Sequence, residues 1–121
     1  MAKENIVKNK SFQFAVKVVN TYKFLTENKK EYVLSKQLLR SGTSIGANVR
    51  EADNAESKAD FIHKLAIAQK ETDETLYWLE LLKETNYISD DEYTSISSDA
   101  FEILKIIRSI IITSKNNIHH S

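Results

Sequence analysis

Ser44, Asn48 and Glu51 are the polar residues best placed to act together, standing four and three apart on one side of a helix beside Ile45, Val49 and Ala52. Farther along, Glu71 and Glu74 are three apart beside Ala68, and an antiparallel helix pair sets Glu74 against Asn48 or Arg40. General acid-base or nucleophilic catalysis needs a matched acid and base or an activated nucleophile, and no histidine or cysteine accompanies this group. Arg40, Ser44, Asn48, Glu51 and Glu74 are therefore read as a structural polar network that sets helix register. A ligand or catalytic site built on Glu51, Glu71 and Glu74 is the alternative. No catalytic residue and no cofactor is assigned, and the chain is expected not to be an enzyme.

Metal chemistry finds little support. Carboxylate bundles that hold two metal ions use several inward glutamates and paired Glu-x-x-His motifs, and the nearest approach is one Asp60-x-x-His63. His119 and His120 stand in the terminal tail, where a native ending and a cloning residue read alike. The absence of cysteine removes disulfides and thiolate zinc sites. With Gly42 and Gly46 as the only glycines, neither a Walker loop nor a dinucleotide fingerprint is present.

Nucleic-acid chemistry would use cations for phosphate and aromatic rings for bases. Its candidates are Lys17, Lys23, Lys29, Lys30, Lys36, Arg40 and Arg50, with Tyr22 and Tyr32 as stacking groups. Residues 1–50 carry ten Lys and Arg against three acids, and residues 51–121 carry seven against fourteen, so a balance of +7 faces one of −7. The simpler account of this asymmetry is that two basic helices lie beside two acidic ones, in the same chain or a neighbouring copy.

The elements that must carry these residues follow from composition and rhythm. A chain of 121 residues fits one domain, and 41% hydrophobic with 28% charged residues is too apolar for disorder. Without proline and with two glycines, many tight turns are excluded and helix is favoured. No secretory signal or apolar run of about 18 residues is apparent, so a cytoplasmic protein without a membrane span is expected.

Four periodic blocks are predicted, at about 10–28, 32–55, 58–85 and 90–115, followed by a frayed tail at 116–121. The first starts at Asn9 or Ser11 and takes Phe12, Ala15, Val19 and Tyr22 as its stripe, widened by Phe14, Val18 and Leu25. In the second, Leu34, Leu38, Ile45, Val49 and Ala52 stay aligned across the weak Ser41-Gly42-Thr43-Ser44 run, whose small residues let another backbone come close. The third opens on a Ser57/Asp60 capping box and carries Phe61, Leu65, Ala68, Leu76, Leu79 and Leu82. The fourth opens on Ser89/Glu92, with Asp90 and Asp91 favoured by the helix dipole. Its stripe of Tyr93, Ile96, Ala100, Ile103, Leu104, Ile107, Ile110 and Ile111 leaves Phe101, Ile106 and Ile112 outside, which implies a subunit contact that covers them. The fold class is all-α, an antiparallel up-down-up-down four-helix bundle in one domain spanning 1–121.

The segment Gln37-Leu-Leu-Arg40-Ser-Gly-Thr-Ser44-Ile45-Gly-Ala-Asn48-Val-Arg-Glu51, followed by Phe61, Ile67-Ala68 and Glu74, resembles the bacterial four-helix bundle proteins known as 23S rRNA-intervening sequence proteins. The likeness runs from Phe12 to about Ile112. Asn48-Val-Arg-Glu51-Ala stands where the family commonly has Asn-Ile-Ala-Glu-Gly, and Lys70-Glu71 stands for Gly-Ser. The resemblance implies an antiparallel bundle assembled as a homopentameric ring. It also implies similarity to the accessory variability protein of diversity-generating retroelements, a basic nucleic-acid binder that partners a reverse transcriptase. No catalytic role comes with it. The expected partner is thus the chain itself, with RNA or DNA as the alternative and no membrane.

Overall fold

The computed structural model describes residues 2–120, with side chains described as far as residue 117. Four helices follow in order: α1 (Ala2–Glu27), α2 (Leu34–Asp53), α3 (Lys58–Glu84) and α4 (Asp90–His120). Each packs on its neighbour in the chain, and α4 closes the bundle against α1. The directions alternate. Lys10 pairs with Glu102 and Lys17 with Asp99, Ser41 meets Thr75 while Glu51 meets Lys64, and in both seams one partner's number rises as the other's falls. The expected all-α four-helix bundle is therefore observed, and its core is built from the recurring apolar positions of all four helices.

The first helix departs from its predicted bounds and face. It begins at Ala2, eight residues before the expected start, because residues 2–9 contain good helix formers, Glu4 lies in the first turn and Val7 continues the buried stripe. Asn9 and Ser11 are therefore interior to the helix rather than caps. Val7, Ser11, Phe14, Val18 and Leu25 form the buried face, while Phe12 is 48% exposed and Ala15, Val19 and Tyr22 lie half-buried on the flank. The adjacent strip is the true centre. The fourth helix also outruns its prediction: its backbone stays helical through 116–120, where no glycine or proline stops the ladder. The side chains of His119 and His120 lie outside the described residues.

The other stripes fall where their periods place them. Leu38, Ile45, Val49 and Ala52 on α2, Leu65, Ala68, Leu79 and Leu82 on α3, and Ile96, Ala100, Ile103, Leu104, Ile107, Ile110 and Ile111 on α4 are all buried. The helix α2 passes unbroken through Ser41–Ser44. Its glycines admit α1: a Cβ on Gly42 would stand 2.7 Å from Cγ2 of Val18, and one on Gly46 would stand 3.3 Å from the carbonyl oxygen of Ser11.

The turns use three kinds of cap. Ser57 accepts from the Asp60 N–H, and at α4 both halves of the box form, with Ser89 N–H donating to Glu92 and Glu92 N–H donating to Ser89. At the end of α3 the Tyr87 and Asn86 N–H groups donate to the carbonyls of Leu82 and Lys83, and left-handed Asn86 (φ 67°) makes that reversal. The Glu31 N–H donates to the Leu25 carbonyl in the same way past left-handed Lys30 (φ 55°). Glu31 then caps α2, its carboxylate accepting from the N–H groups of Val33, Leu34 and Ser35 at 3.1, 2.8 and 2.7 Å. Burial by itself raises the affinity of this carboxyl for its proton, but the N–H groups of Ser35, Leu34 and Val33 outweigh it and hold the group below the usual carboxylate range.

Two outcomes are expected. Gly42→Ala gains helix propensity but must displace the stiff, buried Val18, so chemical denaturation should show a net loss of about 1–3 kcal/mol. A Val18→Ala change in the same chain should recover part of it. Glu31 has a depressed folded value, so its contribution is present above its unfolded value of 4.5 and is lost as pH falls through the folded value. Glu31→Gln should cost about 1–2 kcal/mol at neutral pH and flatten the acid limb of a stability-against-pH curve.

Candidate functional site

The helices α2 and α3 meet along a seam that collects most of the polar residues singled out in the sequence. Arg40 reaches across it and donates to Glu74 at 2.5 Å and, on its own helix, to Gln37 at 3.2 Å. The Trp78 indole N–H donates to the same Glu74 oxygen at 3.4 Å, and Tyr77 packs edge-on against Trp78 at 5.0 Å between ring centres. One residue inward, the hydroxyls of Ser41 and Thr75 lie 3.0 Å apart, both fully buried. An ion pair outside and a hydroxyl pair inside thus link the same level of the two helices.

The five-residue network divides. Glu74 meets Arg40 and has no bond with Asn48. Ser44 donates to the Arg40 carbonyl at 2.7 Å and Asn48 to the Ser44 carbonyl at 2.8 Å, so both serve their own helix. Glu51 faces outward, exposed, and pairs with Lys64 at 3.6 Å. The five residues therefore do not form one connected network. Backbone carbonyls four residues back supply the acceptor that Ser44 and Asn48 use.

Sequence reasoning missed Ser41, Thr72 and Thr75, which are buried and were not assigned to the stripes. Their signal lay in position: each falls at a core register, and each hydroxyl reaches a carbonyl of its own helix, as Thr72 does at Ala68. Glu71 sits half-buried on the seam with one carboxylate oxygen, Oε2, shielded from solvent and without a hydrogen-bond partner.

The basic candidates separate by surroundings. Lys17 is held by Asp99 at 2.5 Å and Ser95 at 3.2 Å, and Lys10 by Glu102 at 2.8 Å, so the α1–α4 seam neutralises its own cations. These two pairs cross a groove of about 410 Å³ lined by Asn9, Gln13, Val16 and Asn20. Arg50 lies over the Phe12 ring at 5.1 Å and Lys29 over Phe24 at 5.8 Å. Lys23, Lys30 and Lys36 are exposed and have no ion pair among the described residues. Tyr22 is half-buried and Tyr32 is 59% exposed. Among the described residues no group of three or more His, Cys, Asp or Glu could hold a metal ion, and no helix is long and apolar enough to cross a membrane.

Fold and seam define a closed up-and-down bundle in which Arg40 with Glu74 and Ser41 with Thr75 link α2 to α3. Within that class, the family model for the 23S rRNA-intervening sequence protein matches residues 3–109, and the chain belongs to that family. It is similar to a crystallised protein of unknown function from the S23 ribosomal protein family of Bacteroides thetaiotaomicron, with 61% identity and a TM-score of 0.90. That likeness covers 90% of this chain and 97% of the other. No curated protein matches the chain.

The seam makes a ranked prediction for thermal or denaturant unfolding. Thr75→Val removes the cross-helix partner of the buried Ser41 hydroxyl, which keeps its bond to the Gln37 carbonyl, and should cost about 1–2 kcal/mol, Arg40→Ala about 0.5–1 kcal/mol for a half-exposed pair, and Asn48→Ala less than either. Equal or reversed effects would mean that Asn48 holds the register after all.

Proposed function

We propose that this chain is a non-enzymatic cytoplasmic bundle protein that assembles with copies of itself into a closed ring, five being the number the family resemblance implies. One observation carries the reading: large apolar side chains remain on the outer faces of a bundle whose core is already full. Phe12, Val16, Tyr77, Phe101 and Ile112 are 48, 43, 58, 54 and 61% exposed. Phe101 and Ile112 are two of the residues whose periodicity left them outside the fourth stripe. Apolar area of this kind marks an interaction surface. A ring needs two different surfaces per copy, and the opposite charge of the two halves of the chain supplies a reason for them to meet.

Nucleic-acid binding is the second reading, and the exposed Tyr32 with Lys23, Lys30 and Lys36, which are exposed and have no ion pair among the described residues, favours it. Solution mass measured with and without RNA separates the two. The ring reading expects a single oligomer at micromolar concentration that RNA leaves unchanged. A monomer overturns it. An RNA complex whose affinity falls steeply between about 50 and 200 mM salt would instead establish phosphate binding.

A further inference from the structure

The ring reading leaves open which faces meet and at what level, and the charge placement answers both. One face lies on α1 and α2. Phe12, Val19 and Lys23 share a stripe of α1, and the Arg50 guanidinium over the Phe12 ring shows that this stripe borders α2. Lys36 leaves the first turns of α2, and Lys29 and Lys30 occupy the connecting loop. All four lysines are exposed, and none is ion-paired among the described residues. Glu27 is the exposed acid among them, since the Glu31 carboxylate is buried under α2. At the far end of this face Lys8 is neutralised by Asp53 at 2.7 Å.

The second face lies on α3 and α4. Asp73, Glu80 and Glu84 share the outer stripe of α3, and Asp90, Phe101, Arg108 and Ile112 that of α4. Acids gather near the 85–89 loop, where the base Lys83 is held over the Tyr93 ring at 4.6 Å and by Glu84 at 3.4 Å. Toward the other end the sign changes to Arg108 and Lys115.

Both loops close the same end of the bundle. The unpaired lysines and the acids therefore lie at one height on opposite faces, and Phe12 and Phe101 share a lower height because Lys10 pairs with Glu102. Rotation about an axis parallel to the helices preserves height. It brings the lysines of one copy onto Glu80, Glu84 and Asp90 of the next, and Phe12 toward Phe101. A neighbour turned end for end would instead set the lysines against Arg108 and Lys115, a like-charge contact. We propose that each copy docks its α1–α2 face on the α3–α4 face of the next in parallel orientation, with every 28–33 and 85–89 loop at the same rim of the ring. This rests on the ring reading and goes beyond it by fixing faces and polarity.

Charge exchange tests it. Solution mass is measured for the unaltered chain, for K23E/K36E, for E80K/E84K and for the fourfold combination, each checked for helical dichroism. Each double reversal should weaken assembly by about tenfold or more at low salt, and the fourfold chain should regain it. The chain has no cysteine, so introduced pairs report proximity without interference. Copies carrying K36C should cross-link to copies carrying E80C and not to copies carrying K115C. An unaltered chain that is monomeric overturns the ring reading and this proposal together. An oligomer indifferent to both reversals, a fourfold chain that folds without assembling, or cross-linking of K36C to K115C overturns the proposal alone.

Discussion

The close approach of α2 to both of its neighbours is the constraint on which the rest of the bundle depends. Toward α1, Gly42 leaves room for the branched side chain of Val18, and Gly46 lies against the Ser11 backbone. Toward α3, Ser41 and Thr75 let two short hydroxyls stand in for apolar side chains, and Arg40 reaches over them to Glu74. A Cβ at 42 would stand 2.7 Å from Val18, so a larger residue there forces α1 or Val18 to shift. Because α2 is the shortest helix and carries the smallest residues, its position sets the spacing at which Leu38, Ile45 and Val49 meet the other stripes.

Charge is organised by the same geometry. Lysines on the flank of α1 that faces α4 find Asp99 and Glu102, and Lys8 finds Asp53 of α2, while Lys23 and the lysines of the following loop have no ion pair among the described residues. The opposed balances of the two halves are thus cancelled at the internal seam and survive on the outer faces. Membership of the 23S rRNA-intervening sequence family agrees with this division, since the seam residues that carried the resemblance, Gln37, Arg40, Ser44 and Glu74, bond one another or their own backbone. Exposed surface, which the outer aromatic and basic residues occupy, is where partner chemistry would be written.

Much of the candidate site was legible, and the illegible part has a clear cause. The Arg40–Glu74 contact could be anticipated because charge and antiparallel direction left Glu74 two partners. Ser44 and Asn48 went astray because spacing places a residue on a helix face but says nothing of the competition between a group across the seam and the carbonyl four residues back. Glu31 escaped notice for a related reason. It caps from outside the helix, with a long side chain that turns back to three N–H groups, so no short-range motif announces it.

The amino-acid order alone determined four helices, their connections, the buried stripes of α2, α3 and α4, and the surplus of apolar residues on α4. These follow from period and composition, which act within single segments. Only the assembled bundle decided which of two adjacent apolar strips of α1 turns inward. Both strips satisfy the helical period, and the space that Gly42 leaves for Val18 selects between them. It also decided which lysines are neutralised, because ion pairing depends on which helix stands beside which, and that relation exists only after the four helices have packed.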